Sequence, residues 1–205
     1  MALIARIRRA TCMHGLSPGE LSLAMSLVGL DIVARVAPHA PNVTPIAASA
    51  VFAGMAFRSR ALALAVPIAA LLLSDLVVGS YDWRIMGVVY AALALPALAA
   101  GWGRARPAVV LAPLVLSSSL LFFATTNFAV WAFSGMYAHD LHGLVLCYVA
   151  ALPFLWNTVA GDALWTTLLF GAYSVSSSWR ERQTRSLPSP LWGGSARSAG
   201  VGVVR

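Results

Sequence analysis

The chain alternates long apolar runs with short segments that carry nearly all of its charge. No other feature constrains the fold as tightly. The runs extend from about Leu21 to Val36, Ile46 to Phe57, Ala61 to Gly79, Ile85 to Gly101, Ala108 to Phe133 and Leu144 to Val175. A bilayer core accepts roughly 20 apolar residues per helix, and a helix satisfies its own backbone where no water can. Only 10% of the 205 residues are charged, whereas a soluble domain carries roughly 25%. So few charges cannot coat a globule in water, but lipid requires no such coat. The predicted fold is all-α: a polytopic integral membrane protein with about six transmembrane helices and short loops. Residues 1–20 read as a basic cytoplasmic segment and 21–176 as the membrane domain. Residues 177–205 read as a cytoplasmic tail rich in Arg, Ser, Pro and Gly, expected to be disordered.

Punctuation supports this division. Ser17-Pro18-Gly19-Glu20 is a helix-start sequence with an acid in the first turn. The stretch from Pro38 to Pro45 is dense in turn formers. The run 46–57 holds only about a dozen apolar residues, and is expected to be a short or tilted span or a re-entrant segment. The last run is too long for one straight span. Pro153, Asn157, Gly161 and Asp162 interrupt it, so a kinked helix or a broken pair is expected.

All fourteen basic residues are Arg, giving a net charge of +7. Nucleic acid is not the expected partner, because the arginines lie between apolar runs and at the chain ends. With six spans, twelve of them fall on one side: Arg6, Arg8, Arg9, Arg58, Arg60, Arg104, Arg106, Arg180, Arg182, Arg185, Arg197 and Arg205. Only Arg35 and Arg84 remain for the other side. Cytoplasmic loops concentrate Arg, so both termini are expected in the cytoplasm and the chain in a bacterial inner membrane. Cys12 and Cys147 have neither disulfide nor zinc spacing. Cys147 reads as a small packing residue, with a thiolate ligand as the alternative.

Charges within a bilayer need a reason. Asp31 and Arg35 stand four apart on one helix and share a face. They read as an ion pair, or alternatively Arg35 anchors an anionic ligand. Asp75, near the outer end of the third run, is expected to pair with Arg35 or Arg84, to cap, or to line a cavity. Thr125, Thr126 and Asn127, with Trp131 one turn on, either face a cavity or bond neighbouring helices. Asp162 is expected to pair with a cytoplasmic Arg or to meet a partner subunit. His139, Asp140 and His142 are weak candidates for a transition-metal site, since loop histidines commonly face solvent. Ala47, Ala50 and Gly54 form a small-residue face suited to helix packing or to a partner. No nucleophile elbow, zinc-protease motif or phosphate-binding loop occurs, so no catalytic set is assigned and the cofactor stays unknown.

The segments PHAPNVTPIAASAVFAGMAF, PIAALLLSDLVVG, FFATTNFAVW and GLVLCYVAALPFLWNTVAGDALWTTLLFG resemble a family of small bacterial membrane proteins known only as a domain of unknown function. The resemblance covers about residues 25–175, with Val43 standing where an aromatic is expected. It implies no activity. More distantly, the six-span plan with both termini inside is similar to the S components of energy-coupling-factor vitamin transporters. Pro153-Phe154 and Gly161-Asp162 add to that likeness. It implies an S-component-like bundle that binds a vitamin-like or metal solute from outside and works with a transmembrane coupling subunit and ATPases. No binding residue carries over one by one. The leading expectation is thus a substrate-binding or transport subunit, with Arg35, Asn42, Asp75, Asn127 and Trp131 lining an outward cavity. The alternative is a structural or accessory subunit of a larger membrane complex.

Overall fold

The computed structural model describes residues 16–103 and 107–186. The basic N-terminal stretch with Cys12 and His14, the loop residues Arg104 and Arg106, and the tail from 187 onward lie outside the described residues. The described chain is helical, with no strand: α1 Pro18–Val36, α2 Ile46–Ala56, α3 Arg60–Val78, α4 Trp83–Trp102, α5 Pro107–Phe133 and α6 Leu141–Ser186.

Local chemistry sets the helix ends. Ser17 and Glu20 close a capping box at the start of α1: the Glu20 N–H donates to Ser17 Oγ at 3.1 Å, and the Ser17 N–H donates to Glu20 Oε2 at 3.2 Å. Each bond satisfies an otherwise orphaned backbone donor. Ser59 accepts from the Leu62 N–H and Asp140 from the Gly143 N–H in the same manner. Gly79, at φ +99°, ends α3 in a conformation that other side chains resist. Pro67, Pro96, Pro113 and Pro153 all lie inside helices.

Four helices, α3, α4, α5 from Val109 and α6 to Ser176, are long and apolar enough to cross a membrane. They mark the chain as a membrane protein. Their outward surface agrees: Leu76, Trp83, Trp102, Leu141 and Trp156 are all more than three-quarters exposed. Trp83 and Trp102 stand at the two ends of α4, about 28 Å apart along its axis at the helical rise. That separation suits two aromatic belts flanking a hydrocarbon core about 30 Å thick.

The short helix α2 sits at the centre. Its eleven residues rise only about 16 Å, too little to cross a bilayer unaided, and nine of them, Ile46–Gly54, are buried. It packs against α4 and α3, and to a lesser degree against α5 and α1. Close approach depends on small residues. A Cβ on Gly54 would stand 2.2 Å from the Ala97 carbonyl oxygen and 2.8 Å from the Ala100 Cβ. Ala47, Ala50 and Gly54 are therefore all buried inside the chain, with Gly54 at the backbone contact.

The core divides along the bundle. At one end the start of α1 (Ala24, Leu27), the end of α2 (Ala53, Phe57), the start of α3 (Ala63, Val66) and Ala97 late in α4 form a buried apolar cluster. Phe170 of α6 meets Phe52 edge-on at 5.1 Å. At the other end the last turn of α1, the start of α2, the last turns of α3 and the first half of α4 meet around a cavity. Successive elements thus alternate in direction.

The described residues fall into two compact units, divided after Phe170. The long apolar stretch after Leu141 is one continuous helix that includes Pro153, Asn157, Gly161 and Asp162 without a break. Of the two expected forms, a kinked long helix or a broken pair, the broken pair does not form. Neighbouring helices supply partners for what a mid-helix proline frees, and the only bond lost is the one its missing N–H would have made. The helix also runs past residue 176 to Ser186, into the sequence expected to be tail.

Candidate functional site

The polar end is built from three carboxyl groups on three helices. Asp31, on α1, is fully buried, and its Oδ1 accepts from the Ser49 hydroxyl on α2 at 2.7 Å. Its Oδ2 has no hydrogen-bond partner. The expected Asp31–Arg35 pair is not what forms. One helical turn carries Arg35 to the end of α1, where its guanidinium crosses to α3 and meets Asp75 Oδ1 at 2.6 Å. That contact is an ion pair of poor hydrogen-bond angle: Oδ1 accepts no well-directed bond. The other oxygen, Oδ2, accepts from the Tyr90 hydroxyl of α4 at 2.5 Å. Arg35 Nη1 also donates to Ser74 Oγ at 2.7 Å, and Ser74 donates onward to the Ala70 carbonyl.

The third carboxyl is Asp162 on α6, 3% exposed. Sequence reasoning offered a cytoplasmic Arg or a partner subunit for it. Its Oδ2 instead accepts from the Ser119 hydroxyl of α5 at 2.6 Å. A neutral hydroxyl satisfies one oxygen and leaves the charge uncompensated.

Of these groups, Arg35 and Asp162 line a cavity of about 320 Å³. Asn42, Thr44, Ser118 and Thr158 are among the other polar groups of its lining. The volume lies at the low end of the range for small-molecule sites, roughly 300–1,000 Å³. Asn42 holds φ +64°, a left-handed conformation that Asn tolerates better than most residues. Gly161 lets this loop lie directly on α6: a Cβ there would stand 3.0 Å from Val43 Cα. Asn42 and Val43 of the loop are thereby held against Gly161, the neighbour of Asp162.

The residues singled out from sequence fall in three groups. Arg35 and Asn42 line the main cavity, and Asp75 is bound to Arg35 just behind it. Asn42 and Asn127 line a smaller cavity of about 190 Å³, with Thr126, Phe154 and Thr158. Asn127 Nδ2 donates to its own helix at the Phe123 carbonyl, 2.7 Å away. Trp131 lines neither cavity. Its Nε1–H donates to the Ala138 carbonyl at 2.9 Å, and its ring meets His139 at 5.6 Å, so it fastens the α5–α6 connection. Among the described residues no three His, Cys, Asp or Glu gather to hold a metal. Asp140 is occupied as a helix cap and His139 meets Trp131 edge-on. Cys147 is buried and free, with its Sγ directed at the Asn127 carbonyl at 3.4 Å.

Outside the membrane-spanning helices, Asp82 caps α4 and chelates Arg84, with Oδ2 to Nη2 at 2.9 Å. Hydrogen bonds from the Arg84 side chain and backbone pull its carboxyl down from the ordinary 3.8 to about 2. The Arg84 guanidinium lies 4.8 Å from the Phe133 ring centroid.

Sequence reasoning did not single out Ser49, Ser74, Tyr90, Ser118, Ser119 or Thr158. A hydroxyl in a long apolar run was the available signal, but most such hydroxyls bond only their own helix, as Thr125 and Thr167 do here.

Helices of this length and hydropathy around a polar-lined cavity define a helical membrane protein. The chain belongs to the family described as "Family of unknown function (DUF6580)", which it matches over residues 18–186. No curated protein and no solved structure matches it.

Proposed function

We propose that the chain is a membrane-embedded binding or transport subunit for a small polar solute. The observation that carries this reading is the cavity that holds an arginine and a second, independent carboxyl together inside an otherwise apolar bundle. Arg35 commits Nη1 to Asp75 and Ser74. A guanidinium has five N–H donors, and the remaining ones are free to meet acceptors of a solute. Asp162 offers an acceptor to its donors. Buried charge is expensive in lipid and accompanies function more than packing.

In this reading α1 and α2 complete a six-span bundle in a bacterial inner membrane, with both termini in the cytoplasm. The twelve arginines that fall on one side support that orientation. The cavity then opens outward, beneath the loop from Pro38 to Pro45. No nucleotide-binding motif is part of the chain, so energy for uptake comes from a separate partner or from an ion gradient.

The test is purification from native membranes in mild detergent, followed by mass spectrometry of proteins and small molecules together. Co-purification of a defined small solute, reduced in Asn42→Ala and Arg35→Lys, supports the reading. A large stoichiometric complex with no bound solute would replace it with an accessory-subunit role.

A further inference from the structure

Resting on that reading, we propose that the floor of the cavity, formed by Asp162, Ser118 and Thr158 where α5 meets α6, is a seat for a small monovalent cation. The cation is either a free ion such as sodium or the ammonium head of the solute.

The argument begins with where the hydroxyl protons go. Ser118 donates to the Leu114 carbonyl and Thr158 to the Phe154 carbonyl, each at 2.8 Å. With their protons committed to their own helices, both side chains can offer only oxygen lone pairs to the cavity they line. Ser119 gives its proton to Asp162, which leaves the second carboxylate oxygen of Asp162 for another partner. The floor is therefore an acceptor surface: two hydroxyl oxygens and a carboxylate, all three residues more than nine-tenths buried. Hard monovalent cations and ammonium groups seek such a set of oxygens, and an anion would be repelled by it.

The charge balance agrees. Asp75 already neutralises Arg35 across the cavity, so the lining carries a surplus carboxylate at Asp162. A cation seated there would remove that surplus, which low-dielectric surroundings otherwise make costly. An independent observation extends the pattern. Thr158, Asp162 and Thr166 recur every four residues and share one face of α6. Thr166 lines the next groove between α5 and α6, together with Ser119. Its Oγ1 is buried and lacks a hydrogen-bond partner. The row of oxygens thus continues past the Ser119–Asp162 contact, of which Asp162 lines the cavity and Ser119 the groove.

The experiment uses the purified full chain in detergent. Thermal unfolding is followed while sodium chloride or methylammonium chloride replaces choline chloride at constant ionic strength. A ligand that binds only the folded state raises the midpoint saturably. The seat predicts such a rise with at least one of the two small cations. Thr158→Val and Ser118→Ala keep the carboxylate but remove an oxygen, and should weaken the apparent affinity about tenfold or more. Asp162→Asn should abolish the rise. A response to sodium alone identifies a coupling ion, and a response to methylammonium alone identifies the solute's ammonium group. The absence of a saturable rise with either cation overturns the seat, as does an equal rise in Thr158→Val or Asp162→Asn. A solute that co-purifies without any cation response refutes the seat but keeps the solute site. A cation response without any co-purified solute does the reverse.

Discussion

The two ends of this bundle are held together by different physics. At the apolar end Ala50, Ala53, Phe57, Ala63, Val66 and Ala97 fill the centre, and Gly54 brings α2 and α4 into backbone contact. At the polar end the same helices separate around a cavity, and partners distant in sequence tie them: Arg35 to Asp75, Asp31 to Ser49, Asp162 to Ser119. Dispersion forces reward any shape that fits, so the apolar end is a question of volume. Buried polar groups are costly unless each finds its partner, so the polar end is a question of pairing. Substitutions at the first end should act on folding, and those at the second should divide their effect between folding and binding.

The largest expected effect tests the volume side. Gly54→Leu places atoms where the Ala97 carbonyl and the Ala100 Cβ already stand. Backbone cannot yield as a flexible side chain does, so the overpacking should exceed the usual range of about 1–3 kcal/mol. The variant should yield no monodisperse protein in size-exclusion chromatography. A well-behaved Gly54→Leu would show that α2 is not clamped and would erase the contrast between the ends.

Next comes the ion pair. Asp75→Ala strands the Arg35 guanidinium, whose side chain is 16% exposed. Removing one member of a buried pair costs about 3–5 kcal/mol. Replacing both, as Arg35→Met with Asp75→Leu, should recover much of the stability while losing any solute. Thermal unfolding and solute retention, measured on the single and double variants, separate pairing from binding.

Ser49→Ala should be smaller. It removes the one donor to Asp31, whose other oxygen already lacks a partner. The expected loss is about 1–3 kcal/mol, with solute retention unchanged because neither residue lines the cavity. A loss of binding without a loss of stability would move Asp31 into the site.

The smallest effect lies at the surface. The Asp82 carboxyl is held down at about 2, so its contribution to stability is complete above its ordinary value near 3.8. That contribution fades as pH falls through the region between them. The difference in unfolding midpoint between wild type and Asp82→Ala should therefore be present at neutral pH and shrink on acidification toward pH about 2. A difference that does not depend on pH would mean that Asp82 acts by shape and not by charge.

Much of the fold is legible in the amino-acid order. The apolar runs, the Ser17–Glu20 start, the Pro38 stop and the brevity of the second run each follow from local rules: the length of apolar sequence, capping chemistry and the missing N–H of proline. The site was legible only in part. The nearness of Asp31 and Arg35 on one helix suggested a pair, and the pairing of Asp75 with Arg35 was one of several options. What decided between them was where α3 and α2 approach α1, and that depends on contacts between residues 18 to 40 positions apart.

The sequence by itself thus determined that these helices belong in lipid, roughly where each begins and ends, and which charges needed an explanation. Only the tertiary structure decided that the last run stays one helix, that the small-residue face of α2 is used up within the chain, and that Asp162 answers to Ser119 and not to an arginine. The physical reason is one of range. Hydropathy and capping act within a turn or a single run. The partner of a buried carboxyl is chosen by the packing of helices far apart in the chain, and no local pattern records it.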